Sequence, residues 1–264
     1  MARWVHERII AGAGVARVSR RRNLVAWWLL AALVAAGLAS LGAWQLDRMH
    51  QKQAMLDAVQ DVLARRDARP LASAADAARV RDYDWAAGSG HFVEALPVLL
   101  DNQQRDERPG VRVYRVFQPS AADAAPLLVE LGWLPLPGDR RLPPVPRPEA
   151  EGGMEVAGLL APPPSHGIMA AVATPQPGGQ LLATGLDMSA LGAQLGQPAL
   201  APRVLKLDPD APLGYARDLD VLPNTLPPGQ HLGYAVQWFA LALAVLAIAA
   251  LLTFRKRKPD KTTP

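Results

Sequence analysis

No cysteine occurs anywhere in the 264 residues of this chain. Disulfides, iron–sulfur clusters, thiolate zinc sites and cysteine copper shuttles are therefore excluded. Other familiar devices are missing too. There is no glycine-rich phosphate loop, no His-Glu-x-x-His pair and no Gly-x-Ser-x-Gly elbow. The six methionines are scattered and form no metal tract. Ser165-His166 lies in a proline-flanked loop and His91 in a strand-like segment. His50 sits one helical turn from Asp47, and Asp82 and Asp84 flank Tyr83 as strand-entry polarity. None of these assembles a hydrolase, transferase or oxidoreductase site, and the chain reads as a non-enzyme.

What is present is a pair of long uncharged runs, Leu24–Leu46 and Leu232–Phe254, each of 23 residues. At about 1.5 Å per residue each would make a helix of about 34 Å, enough to cross a hydrocarbon core of about 30 Å. A signal peptide would have a shorter apolar core, about 7–15 residues, and a small-residue cleavage site; the first run reads as an uncleaved anchor. Six arginines and one glutamate precede it, and Arg255, Lys256, Arg257, Lys258 and Lys261 follow the second run against Asp260. The stretch between holds 17 Lys and Arg against 22 Asp and Glu. Positive charge beside both spans places both termini in the cytoplasm and the central stretch outside. The pI of 9.7 thus reports membrane flanks and not nucleic-acid binding. The expected organisation is a basic cytoplasmic tail (1–22), a transmembrane helix (23–46), an extracytoplasmic domain (47–230), a second transmembrane helix (231–254) and a basic tail (255–264).

The helical pattern after Leu46 continues through Arg66, and Pro70 ends it. Short apolar segments separated by turn signals predict strands at Tyr83–Val93, Pro97–Asn102, Val111–Gln118, Leu127–Trp133, Met154–Leu160, Leu181–Thr184 and Arg203–Leu207. Gln103–Gly110 reads as a hairpin loop, and Pro135–Pro148, with six prolines, as a loop. Asp187 would cap a short helix to Leu195. The fold class is membrane α+β: two transmembrane helices bracketing a mainly antiparallel β extracytoplasmic domain.

The span ends hold the unusual residues. His231, Tyr234, Ala235 and Trp238 share one face of the second helix. Two readings stay open: an aromatic belt at the membrane interface, or an axial imidazole with aromatic neighbours for a flat, metal-centred cofactor. The matching end of the first span carries Trp44, Gln45, Asp47 and Arg48, followed by Lys52. Alanines at 31, 35, 39 and 43, and at 240 and 244, suggest smooth stripes for close helix packing.

The pieces Leu41-Gly-Ala-Trp-Gln-Leu-Asp-Arg48 with Lys52, Val98-Leu-Leu-Asp-Asn102, Pro109-Gly-Val-Arg-Val-Tyr114, Gly132-Trp-Leu-Pro135 and His231-Leu-Gly-Tyr-Ala-Val-Gln-Trp-Phe239 occur in order. Together they resemble the SURF1 family, assembly factors for haem–copper cytochrome oxidases. The resemblance implies two spans in a bacterial inner membrane around an extracytoplasmic domain. It also implies help in delivering haem a to oxidase subunit I, with haem A synthase as a further partner beside the lipid bilayer. Bacterial members look like haem a binders with a histidine at the second span as proposed ligand, which matches His231. Trp44, Gln45, Tyr234 and Trp238 would line that haem, although interface anchoring selects the same residues. Where the family pattern usually carries Asn-Arg before Gly-Trp, this chain has Val129-Glu130-Leu131. If that arginine serves haem propionates, Arg48 is a possible substitute, with headgroup binding as the competing role for Arg48 and Lys52. The alternative function is a scaffold that stabilises oxidase assembly intermediates without touching haem.

Overall fold

The computed structural model describes residues 2–146, 148, 153–164, 170–222 and 225–255, with side chains from residue 22 onward. Ser165-His166 and the cations after Arg255 lie outside the described residues. The chain divides into two units, Met1–Gln53 with Leu226–Pro264, and Ala54–Thr225.

The first unit is an antiparallel helical hairpin. Helix α1 runs from Ala2 to Arg65 and contributes its first part, and helix α3 spans Pro228–Phe254. Pro227 and Pro228 set the start of α3, because a proline at a first helical position gives up an N–H that has no partner there anyway. Both helices are long and apolar enough to cross a membrane. Their outer faces (Leu29, Leu33 and Leu41 on one, Leu243, Leu251 and Leu252 on the other) are exposed, as a lipid-facing surface requires and a soluble core helix does not.

The seam between the helices differs from the expected stripes. Trp28, Ala31, Ala35, Leu38, Gly42 and Gln45 turn inward at alternating steps of three and four, while Ala43 is exposed. A helix has 3.6 residues per turn, so a stripe of every fourth residue drifts around the cylinder, whereas steps averaging 3.5 stay on a partner. On α3 the inward alanines are 235, 242 and 249, and Ala240 and Ala244 face out. Gly42 leaves room for a ring of the facing helix: a Cβ there would lie 2.8 Å from the Phe239 ring. At the far end, Trp28 Nε1 donates to Thr253 Oγ1 at 3.1 Å.

The second unit is a nine-stranded, mostly antiparallel sheet. Its strands are β1 (Arg69–Pro70), β2 (Asp84–Phe92), β3 (Val98–Arg105), β4 (Arg108–Pro119), β5 (Leu127–Pro135), β6 (Met154–Ala161), β7 (Ala173–Gln176), β8 (Gln180–Ala183) and β9 (Val204–Leu207). Their order is β1-β2-β6-β9-β5-β4-β3-β8-β7, and β2 also pairs with β4. That extra pairing closes β2, β6, β9, β5 and β4 into a ring, with β3, β8 and β7 as a flap on β4. Parallel pairs occur only at β1–β2, β3–β8 and β5–β9 among the described residues.

All seven expected strands form, within three residues at each end. The two unforeseen ones, β1 and β7, are short, lie at the sheet's edges and contain Pro70 and Pro175. Proline is tolerated at an edge because no ladder N–H is needed there, and the same prolines hide the strands in the sequence. The expected loop at Gln103–Gly110 is mostly strand. Asp106 and Glu107, with φ of 49° and 60°, make a two-residue turn. Such turns normally announce themselves with Asn-Gly.

The ring is filled by Val111, Val113, Phe117, Leu127, Val129, Leu131, Leu160 and Leu205, and Leu71 of a 3₁₀ turn packs with them. Phe92 meets Phe117 edge-on, with ring centroids 5.1 Å apart. The opposite face of β4, β5 and β9 is covered by a second cluster: Val98, Tyr114, Val116, Leu128 and Val204 pack with Leu191 and Leu195. Leu191 belongs to helix α2 (Met188–Gln194), which Asp187 caps by accepting from the Ser189 and Ala190 N–H groups, as expected. With both faces covered, β4 and β5 are buried almost throughout and lose the usual alternation. The last residues of α1, Val59 and Val62 among them, pack on Leu159 and Ala161 of β6.

Candidate functional site

In the hairpin, the residue order around the α3 entrance decides which side chains meet. His231 and Ala235 are four apart and turn toward α1, where Gln45 faces them. His231 Nδ1 lies 2.7 Å from Gln45 Oε1, and the ring is only 7% exposed. A carboxamide oxygen only accepts, so Nδ1 carries the proton and donates. The Nε2 lone pair is then available, and Nε2 is buried without a hydrogen-bond partner. An imidazole oriented through one nitrogen, with the other unpaired, has the form of a metal ligand.

The remaining candidates are arranged around this pair differently from one another. Trp238 is half-buried on the His231 side of α3, while Tyr234 is 43% exposed and Trp44 is 54% exposed. Arg48 is exposed and donates to Gln51 Oε1 at 3.1 Å; Gln51 in turn donates to Asp47. Lys52 Nζ donates to the Leu226 carbonyl at 2.5 Å and so ties the end of the hairpin. His50 and His91 are exposed. Among the described residues no three His, Cys, Asp or Glu side chains gather as a metal site.

The β unit holds two charge clusters that sequence reasoning missed. Glu130 on β5 stands in register with Tyr114 on β4 and Lys206 on β9. A bulge at Leu131 shifts the β4–β5 register and brings Arg112 to the same carboxylate. Lys206 Nζ is 3.0 Å from both Glu130 oxygens, Tyr114 donates to Oε2 at 2.9 Å, and Arg112 donates to Oε1. Burial alone would push the Glu130 pKa up, but Lys206 and then Arg112 hold it below the ordinary carboxylate value. Burial, reinforced by the Glu130 charge, pushes the Tyr114 phenol well up. The signal was present in the sequence: Val111-Arg112-Val113, Val129-Glu130-Leu131 and Leu205-Lys206-Leu207 each set one charge inside an apolar strand.

Asp84 is the second cluster, and the expectation of simple strand-entry polarity is corrected. It accepts from Arg79 at 2.7 and 3.1 Å and from the fully buried Arg203 at 2.8 Å, and Arg69 lies 3.0 Å away. Burial works against its charge, yet Arg79 and Arg203 hold its pKa below the ordinary value. Arg203 also donates to the Asp82 and Leu160 carbonyls, so this cluster binds the start of β2 to β6 and β9.

No curated protein matches this chain. The SURF1 family does, over residues 32–243, a range that contains every candidate from Trp44 to Trp238 as well as Glu130 and Asp84. The chain therefore belongs to the SURF1 family, whose members are generally non-enzymatic assembly factors for cytochrome oxidase.

Proposed function

We propose that this protein binds haem a transiently and aids its insertion into subunit I of a haem–copper cytochrome c oxidase. The observation that carries this reading is the buried, unpartnered Nε2 of His231, whose other nitrogen is fixed by Gln45. His231 would hold the iron, and the haem would bring the redox and oxygen chemistry that the oxidase later uses. Trp238, Tyr234 and Trp44 would offer apolar surface to the macrocycle, and Arg48 a cation for a propionate. A single histidine ligand suits a carrier, because delivery needs specific but reversible binding.

The same reading places residues 23–46 and 231–254 across a bacterial inner membrane with both termini cytoplasmic, and residues 47–230 outside. Its support is the arginine-rich start of the chain and the basic residues after Phe254. Oxidase subunit I and haem A synthase are the partners, and the bilayer is the solvent of the hairpin.

A haem-independent scaffold is the second reading. It is favoured by the fact that the His231–Gln45 bond already clasps two helices without any ligand. Co-expression with a haem A pathway separates the two. In the haem reading, His231→Ala keeps normal membrane levels but loses or shifts the haem absorption band, and His231→Met partly restores binding with an altered spectrum. Gln45→Leu, which frees the ring, lowers haem affinity about 10- to 100-fold. Arg48→Gln weakens haem retention if it meets a propionate; equal occupancy leaves it a lipid anchor. Unchanged haem a binding and full oxidase assembly by His231→Ala would leave the scaffold.

A further inference from the structure

We propose, on the reading of both apolar runs as membrane spans, that the helical hairpin holds one anionic phospholipid, with an acyl chain in a groove at the end away from His231. The groove has a volume of about 520 Å³ and lies wholly within the first unit. Trp27, Ala31 and Val34 line it on α1, and Val245, Ile248 and Leu252 on α3, at the steps of three and four that keep residues on one flank of a helix. Ala31 and Ala249, both half-buried, form its floor, and the exposed Trp27, Val34, Ile248 and Leu252 form its walls. Alanine between larger neighbours leaves a channel where longer side chains would have closed the surface.

The extent of the groove decides the kind of occupant. Its lining runs from Leu24 to Val34 and from Val245 to Thr253, about 15 Å and about 12 Å at a rise of about 1.5 Å per residue. One leaflet supplies about half of a hydrocarbon core of about 30 Å. Val34 and Val245 stand near the middle of the two uncharged runs, so the groove spans one leaflet and ends near the bilayer midplane. A partner's transmembrane helix would need a seat along the whole span, whereas an acyl chain reaches only to the midplane. Inside the groove Trp28 Nε1 and Thr253 Oγ1 satisfy each other at 3.1 Å, so its interior asks for hydrocarbon.

Charge selects the headgroup. In the antiparallel hairpin the start of the first run and the end of the second lie together, and the groove begins there. Arg20, Arg21 and Arg22 come just before Leu24 in the sequence, and Arg255, Lys256, Arg257 and Lys258 just after Phe254. No acid occurs from Arg8 to Leu46, and Asp260 is the only one after His231. The guanidinium groups of Arg22 and Arg255 are exposed and make no ion pair or hydrogen bond among the described residues. The indole N–H of Trp27 likewise has no partner among them, at the depth where indoles meet lipid headgroups. A zwitterionic headgroup would bring its own cation to this basic end, whereas an anionic one brings only negative charge. Basic pockets between spans on the cytoplasmic side suit anionic headgroups for this reason.

The test titrates the delipidated full chain, in neutral detergent, with phosphatidylglycerol or phosphatidylcholine, and native mass spectrometry counts the lipids retained. One phosphatidylglycerol is expected to bind about tenfold more tightly than further copies or than phosphatidylcholine. Ile248→Trp fills the groove from an exposed wall and should remove that first site. Arg22→Gln with Arg255→Gln changes only exposed side chains; it should cut the preference for phosphatidylglycerol about fivefold while melting as the parent does. Equal binding of the two lipids, a graded series without a distinct first site, or undiminished binding by Ile248→Trp would each overturn the proposal. A dimer of the chain that Ile248→Trp splits, with lipid retention unchanged, would give the groove to a second copy and overturn it too. Alkaline carbonate treatment of membranes separates this site from the spans themselves: a chain that stays in the pellet is inserted whether or not it holds the lipid. A chain that carbonate extracts would overturn the spans and the lipid site together.

Discussion

Glu130 and Lys206 stand opposite one another on adjacent parallel strands, with both carboxylate oxygens 3.0 Å from the ammonium and neither side chain more than 7% exposed. The acid is enclosed by cations from both neighbouring strands, Arg112 of β4 and Lys206 of β9. Its charge is thus compensated locally, at the cost of burying three charges.

Removing one partner is accordingly worse than removing the set. Glu130→Ala leaves Arg112 and Lys206 buried without their anion, and a loss of about 3–5 kcal/mol in the stability of the β unit is expected. The triple variant Arg112→Met, Glu130→Leu, Lys206→Met should recover most of that loss. Denaturant unfolding of the purified variants checks both.

Acid should act through the same carboxylates. Glu130 and Asp84 both have pKa values held below the ordinary carboxylate value in the folded chain. Their stabilisation is therefore fully present above the unfolded-state values near pH 4 and is lost as pH falls through the depressed folded values. The melting temperature of the β unit is expected to vary little from these two groups between about pH 7 and pH 5, then to drop below about pH 4. Glu130→Gln should make the acid limb shallower, since it removes one of the two groups.

Helix contact in the hairpin hinges on the smallest side chain in the seam. Gly42→Val would drive methyls into the Phe239 ring, and overpacking of this kind costs about 1–3 kcal/mol. Phe239→Ala on the same chain should return part of it, because the space then exists. Thermal unfolding of the single and double variants, read as a double-mutant cycle, should show coupling between the two positions.

Topology is open to a direct assay. Gly178 is exposed in the turn between β7 and β8, where an inserted protein does not interrupt a strand. A reporter active only outside the cytoplasm should work at Gly178 and be silent after Pro264. The reverse pattern would invert the orientation proposed above.

Much of the architecture was legible because it rests on local rules. Uncharged runs of helical length, the Asp187 cap and seven apolar segments between turn signals all carry their structure in short windows. The parts that were not legible depend on partners far away in the chain. Which alanines face inward is set by the second helix and not by the spacing within the first, so Ala43 was misplaced and Ala242 overlooked. Arg112, Glu130 and Lys206 each stand out singly as one charge inside an apolar strand, but only the β4–β5–β9 register and the bulge at Leu131 bring them together. At the hairpin, the sequence set His231 among aromatics, while its hydrogen-bonded neighbour in the structure is Gln45.

The hairpin is fastened by polar bonds near both ends, Trp28 to Thr253 at one and Gln45 to His231 at the other, with only small or apolar side chains between them. Sliding α3 by one turn, about 5.4 Å, would break both bonds together and carry Phe239 off Gly42. Within the bilayer proposed above as the solvent of the hairpin, no water is at hand to replace the lost partners. The two helices therefore behave as a toothed pair with a single seating: they can separate, but they have no neighbouring notch in which to rest.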